Sequence, residues 1–115
     1  MITVYGILNC DTVKKARAWL TAQGVDYRFH DFSKQGVPPS QLTGWIEAAG
    51  WEKLLNRRGT TWRKLDAATQ SGVTDAASAS ALMRAHPSVI KRPVVEWGAQ
   101  VTVGFNAGVW AALVH

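Results

Sequence analysis

The chain has 115 residues, 47% of them apolar, with 13 Lys and Arg against 8 Asp and Glu for a formal charge of +5. Six tryptophans and a charged fraction of only 18% exclude a disordered chain, and the length suits one domain that buries roughly two-thirds of its unfolded surface. A single cysteine excludes an internal disulfide, and Cys10, His30, His86 and His115 stand too far apart for zinc-ligand spacing, so no metal is expected.

Residues 1–8 are apolar but lack a basic flank and fall far short of the ~20 residues of a membrane span. They read as a first strand, with its core at 3–8, of a cytoplasmic protein whose lone cysteine stays reduced. Asn9, Asp11 and Thr12 are helix-start residues, and from Thr12 the apolar Val13, Ala16 and Leu20 recur at helical spacing until Gly24. Val25, Tyr27 and Phe29 then alternate with Asp26, Arg28 and His30, which predicts a strand. A crossover of this length joins parallel strands, so residues 1–32 predict a right-handed βαβ unit.

Residues 33–88 predict helices with short loops. Pro38-Pro39-Ser40 starts one whose face carries Leu42, Trp45, Ile46 and Ala49 and which Gly50 ends, and a short helix is expected at 51–55. Lys53, Arg57, Arg58, Arg63 and Lys64 make a basic stretch with Gly59-Thr60-Thr61 expected as a loop in its middle, and Trp51 and Trp62 are spaced like core residues. Asp75 caps an Ala-rich helix that turns Leu82 and Met83 inward and ends at His86-Pro87. The strand pattern returns at 94–97 and 100–103 about the turn Gly98-Ala99, a hairpin, and Asn106 caps a last helix with Val109, Trp110 and Leu113. The order β-α-β, helical insert, β-β-α predicts an α/β domain with a mixed four-stranded sheet, the thioredoxin-like (glutaredoxin-like) plan. Its core is residues 1–32 and 89–115, and residues 33–88 are the helical insertion.

Cys10 falls between the first strand and the first helix, where free N–H groups and the helix dipole favour a thiolate. Lys14, at i+4, adds a positive charge nearby. The alternative is a buried, inert cysteine. Arg92-Pro93 opens the hairpin strand. In thioredoxin-like folds a cis proline at this point lies beside the cysteine, and the preceding residue offers its backbone to an extended thiol ligand. Arg92 would then aim a guanidinium at the anion that Cys10 attacks, against the alternative of a solvated surface arginine. Arg57 or Arg58 closes an anion pocket over Cys10, or belongs to a solvated basic face. His30 and His86 read as structural, Asp31 and Glu96 make no carboxylate pair by spacing, and no nucleic-acid recognition motif is present.

Three segments together carry a family resemblance: Ile2-Thr3-Val4-Tyr5-Gly6, the turn Asn9-Cys10-Asp11-Thr12-Val13-Lys14-Lys15-Ala16, and Lys91-Arg92-Pro93-Val94-Val95. They resemble the arsenate reductase (ArsC) family. Residues 27–31, 55–65 and Val103-Gly104-Phe105 look most like the YffB proteins of the ArsC/Spx group. The resemblance implies a thioredoxin-like fold with a helical insert and a nucleophilic Cys10. It also implies three arginines around the cysteine of glutathione-coupled arsenate reductases. Arg92 matches one of them, Val103 stands at another, and the third falls near Asn56, Arg57 and Arg58. The Cys-x-x-Cys of Spx regulators, which bind RNA polymerase, ends here on Val13.

The resulting expectation is a glutathione-dependent thiol–disulfide reductase with glutathione as co-substrate and no bound cofactor. Cys10 is its nucleophile, Lys14, Arg57, Arg58, Arg92 and Pro93 its ligand-binding residues, and glutathione or glutathionylated thiols its partners. An arsenate reductase-like enzyme and an Spx-like protein that docks on RNA polymerase are the alternatives. No membrane association is expected.

Overall fold

The computed structural model describes residues 1–114; His115 lies outside the described residues. In chain order the first elements are β1 (Ile2–Gly6), α1 (Asp11–Ala22), β2 (Tyr27–Asp31) and α2 (Phe32–Gln35). Next come α3 (Pro39–Ala49), α4 (Trp51–Leu54), α5 (Thr60–Lys64), α6 (Ala67–Ser71), α7 (Ala76–Ala85) and a 3-10 turn (Pro87–Val89). The chain closes with β3 (Val94–Glu96), β4 (Val101–Val103) and α8 (Ala107–Leu113). Two compact units result: residues 1–35 with 92–114, and Gly36–Lys91.

The first unit holds a four-stranded sheet in the order β2-β1-β3-β4. β1 runs parallel to β2, with Val4 opposite Phe29, and antiparallel to β3, with Val4 opposite Val95; β3 and β4 form the expected hairpin. This is the thioredoxin-like arrangement that the order of elements predicts. Alternation along β1 sends Ile2 and Val4 to one face, where the buried positions of α1 meet them. Val4, Ala16, Leu20, Val95 and Trp110 form the core there, and Trp19, Tyr27, Phe29, Trp97 and Phe105 pack around it. Trp110 is its aromatic centre, with Phe105, Trp97 and Trp19 edge-on at 4.8, 5.1 and 5.9 Å between ring centres.

One glycine sets how closely α1 lies on β1. A Cβ on Gly6 would stand 2.9 Å from Val13 Cγ2, so only a residue without a side chain lets the first turn of α1 settle onto the strand end. The strand stops at Gly6, short of residue 8, because residues 7–9 turn to bring Cys10 to the helix start; Leu8 is accordingly 46% exposed. α8 is capped as predicted, Asn106 Oδ1 accepting from Val109 N–H at 3.0 Å. Of the apolar residues it carries, Trp110 is buried and Val109 is 50% exposed, since a helix of seven residues turns one narrow stripe to the sheet.

The second unit is helical and is built around Leu42, Trp45, Leu54, Leu55, Ala79, Leu82, Met83, Val89 and Ile90. α7 carries a capping box between Asp75 and Ser78. Two expectations need correction here. Gly59-Thr60-Thr61 is not a loop but the N-cap and first turn of α5, whose end is held where Gln70 Nε2 donates to Trp62 O at 2.9 Å. Trp51 and Trp62 are not core residues; both are half-buried and flank Arg57. The short helix α6, capped by Asp66, was not legible in the pattern. Among the described residues no helix is long and apolar enough to cross a membrane.

Candidate active site around Cys10

Cys10 is the N-cap residue of α1, with extended backbone angles (φ −147°, ψ 121°), and its carbonyl accepts the first helical bond from Lys14 N–H at 2.9 Å. The sheet register explains what stands beside it. Val94 at the start of β3 is opposite Tyr5, near the end of β1, so the residues entering β3 and those leaving β1 meet at one end of the sheet. Those entering residues are Arg92 and Pro93, joined by a cis peptide bond as expected. Pro93 is buried, and its carbonyl accepts from Gly104 N–H at 2.9 Å, which ties it to the segment after β4.

Burial works against ionisation of the Cys10 thiol, yet its pKa lies below the ordinary thiol value. The Val13 N–H, the Arg92 guanidinium by hydrogen bond and charge, and the Thr12 N–H all favour the thiolate and together outweigh desolvation. The sulfur thus sits where α1 presents its open amides and where one side-chain cation comes from the cis-proline segment. Arg92 is half-buried, and its Nε is shielded from solvent.

Lys14 is exposed, and the groups that stabilise the thiolate do not include its ammonium; its link to Cys10 is through the backbone. Arg57 and Arg58 are exposed residues of the Gly36–Lys91 unit, where they border a cleft. His30 packs its ring on Tyr5 and Phe32, at 5.0 and 5.9 Å between centres, and His86 is the exposed C-cap of α7. Asp31 and Glu96 are separately engaged: Asp31 Oδ1 accepts from Ser33 N–H at 2.9 Å, and Glu96 Oε1 accepts from Tyr5 O–H at 2.7 Å. Burial, then the bond to Glu96 and its charge, push the Tyr5 hydroxyl well above the ordinary phenol value, so Tyr5 stays neutral and donates no proton near neutral pH. Sequence reasoning passed over this pair and the placement of Arg57 between two tryptophans. Among the described residues no group of three or more His, Cys, Asp or Glu could hold a metal ion.

Chemically, a stabilised thiolate beside one guanidinium is a nucleophile suited to an electrophilic sulfur with an anionic neighbour. With one cysteine in the chain, a mixed disulfide formed there is resolved by a thiol from outside.

Comparison with known proteins places this geometry. The solved structure of a YffB protein is 46% identical and superposes with a TM-score of 0.95, each chain being covered completely. An arsenate reductase (ArsC) related protein from Brucella melitensis is 50% identical with a TM-score of 0.75, over 96% of this chain and 92% of that one. The global transcriptional regulator Spx of Streptococcus pyogenes is 27% identical over 112 residues, 92% of this chain and 79% of Spx. The model of the ArsC family matches residues 5–113, a span that takes in Cys10, the helical insert and Arg92-Pro93, and the chain belongs to the ArsC family.

Proposed function

We propose that the protein is a cytoplasmic, glutathione-dependent thiol–disulfide reductase that works with Cys10 alone. The observation that carries this reading is the thiolate held down by the Val13 and Thr12 amides and by Arg92. In the first step the Cys10 thiolate attacks the glutathionyl sulfur of a mixed disulfide. A sulfur–sulfur bond forms to Cys10 as the old one breaks, and the substrate leaves as thiolate and takes a proton from water. In the second step a glutathione thiolate attacks the Cys10–glutathione disulfide, releases oxidised glutathione and restores the Cys10 thiolate. Each turnover consumes one free glutathione and exchanges the mixed disulfide for oxidised glutathione, and no second cysteine is needed. Arg92 anchors a carboxylate of the glutathionyl group, and the backbone at the cis proline receives its peptide as an added strand.

The similarity to Spx supports a second reading, in which the same fold docks on RNA polymerase and Cys10 is idle. One pair of measurements separates the two. Alkylation of Cys10 across pH should give a midpoint below ~8.5, the unperturbed thiol value, and the protein should reduce a glutathionylated small thiol catalytically with free glutathione. Cys10→Ser should abolish turnover. A midpoint at or above the unperturbed value with no turnover would leave the docking reading. Reduction of arsenate in preference to the disulfide would promote the arsenate reductase-like enzyme.

A further inference from the structure

β2 is an outer strand of the sheet, paired with β1 on one side and with no strand on the other. Asp31 N–H turns away from β1 and donates to Gln35 Oε1 at 3.2 Å. Backbone N–H and C=O groups alternate in direction along a strand, so those of Tyr27 and Phe29, four and two residues back, face outward as well. They form an open edge of the kind that pairs with another strand. Gln35 closes this edge at Asp31, and the exposed Arg28 stands in its middle. A short, charged edge resists indiscriminate stacking and suits one added segment.

The surroundings of this edge are positively charged and ordered. Arg17 of α1 donates from Nε to Tyr27 Oη at 3.0 Å, and its guanidinium carbon lies 4.5 Å from the centre of the Phe29 ring. These contacts fix the side chain over the same two residues whose amides face outward, and they leave its Nη groups for a carboxylate. Among the described residues no carboxylate pairs with Arg17. An arginine ordered beforehand loses less freedom on binding than a solvated one. Arg28 adds an exposed cation on the opposite face of β2, and Lys14 and Lys15 are exposed on α1. Before the strand begins, Thr21, Gly24, Val25, Asp26 and Tyr27 line a cleft of about 260 Å³ that leaves room for a side chain; Asp26 is the one carboxylate in its lining.

We infer that the outer edge of β2 receives an extended acidic segment of a partner protein as a fifth strand, its backbone paired with Tyr27 and Phe29 and its carboxylates set against Arg17 and Arg28. An acidic segment is favoured over a second copy of this chain, because two copies, each with a formal charge of +5, would bring like charges together along this edge. A small anion without a backbone would leave the outward amides unused. All of these groups belong to the unit that holds the sheet, and the thiol chemistry of Cys10 takes no part in the argument.

Titration of the peptide acetyl-Val-Thr-Glu-Glu-Thr-Val-amide into the isotope-labelled full chain, followed by amide NMR, tests the inference. Adjacent glutamates in a strand point to opposite faces, as Arg17 and Arg28 do. The Tyr27 and Phe29 amide signals should shift to saturation, and their hydrogen exchange should slow. Arg17→Gln should weaken binding about tenfold, the effect of one charge-assisted contact. Arg28→Gln, an exposed change that removes no packing, should weaken it about two- to fivefold. Cys10→Ser should bind as the parent does. Equal binding of the peptide with both glutamates replaced by lysine, or of the one with both threonines replaced by proline, which keeps the carboxylates and removes strand N–H groups, would overturn the assignment. So would shifts that fail to saturate or that bypass Tyr27 and Phe29. Protection of these two amides that grows with protein concentration before any peptide is added would place a second copy on the edge and also overturn it.

Discussion

Removing the Arg92 guanidinium tests the thiolate most directly. In Arg92→Ala the Val13 and Thr12 amides remain, but the hydrogen bond and charge from the cis-proline segment are gone while the burial that opposes ionisation stays. The Cys10 midpoint should therefore move up, and at pH 7 a smaller fraction of the protein should carry the nucleophile. The same change removes the proposed carboxylate anchor. A hydrogen bond to a charged group contributes about 1.5–3 kcal/mol, so kcat/KM for a glutathionylated disulfide should fall about 10- to 150-fold. Iodoacetamide alkylation across pH reads the first effect, and steady-state reduction at several pH values reads the second. Arg92→Lys should recover part of the midpoint, since it keeps the charge, and less of kcat/KM, since it loses the planar fork. Lys14→Ala is the control: its exposed ammonium is not among the groups acting on the sulfur, so the midpoint should stay where it is. An unchanged midpoint in Arg92→Ala, or a shift of equal size in Lys14→Ala, would refute this account of the site.

Other perturbations probe the scaffold. The folded thiol of Cys10 lies below its unfolded value of ~8.5, so its ionisation contributes stability that is fully present above that value and is lost as pH falls through the folded pKa. Urea midpoints of the parent should accordingly rise with pH across that window relative to Cys10→Ser, and a flat difference would contradict the shift. Gly6→Ala drives a methyl to within 2.9 Å of Val13 Cγ2 and should cost about 1–3 kcal/mol in denaturant titration, the range for an overpacked core. It should also raise the Cys10 midpoint, because the α1 amides must give way. Asn106→Ala removes the acceptor for Val109 N–H and should lower stability by about 1 kcal/mol by the same measurement.

The parts of this molecule legible in its sequence are those with a long enough period. β1, α1 and β2 show clear alternation or helical spacing, and polar residues at the start of α1 mark Cys10 as a helix-start residue, which is where the amides that hold its thiolate are found. Lys14 shows the limit of spacing arguments. A position four residues on from the N-cap secures a backbone bond to the Cys10 carbonyl, yet a flexible ammonium at the surface keeps its water, and the cation that acts comes from Arg92, 82 positions away in sequence. α5 and α6 have five residues each, too few for periodicity to separate from a loop, and they are fixed by particular contacts such as Gln70 to Trp62 O. The Trp51 and Trp62 spacing read as core because it records that the rings face a common point and leaves open that the point is an arginine.

The choice between a tetrahedral oxyanion and a glutathionyl group as the ligand of Cys10 turns on how many cations share the sulfur's surroundings. Arsenate concentrates its charge on one centre and is held by guanidinium groups that converge on it. In the unit that contains Cys10, the side-chain cation acting on the sulfur is Arg92. Val103, where the family resemblance sets another arginine, is a half-buried member of β4 paired with Val94 in the hairpin, next to the segment that carries Arg92. A valine there brings no donor and no charge. Within that unit, one arginine beside a nucleophilic thiolate suits, in the proposed reaction, a ligand that presents one carboxylate there and supplies further affinity through a peptide backbone. Glutathione has that distribution of charge, and the strand-like backbone around cis Pro93 is the complementary surface in the proposed reaction.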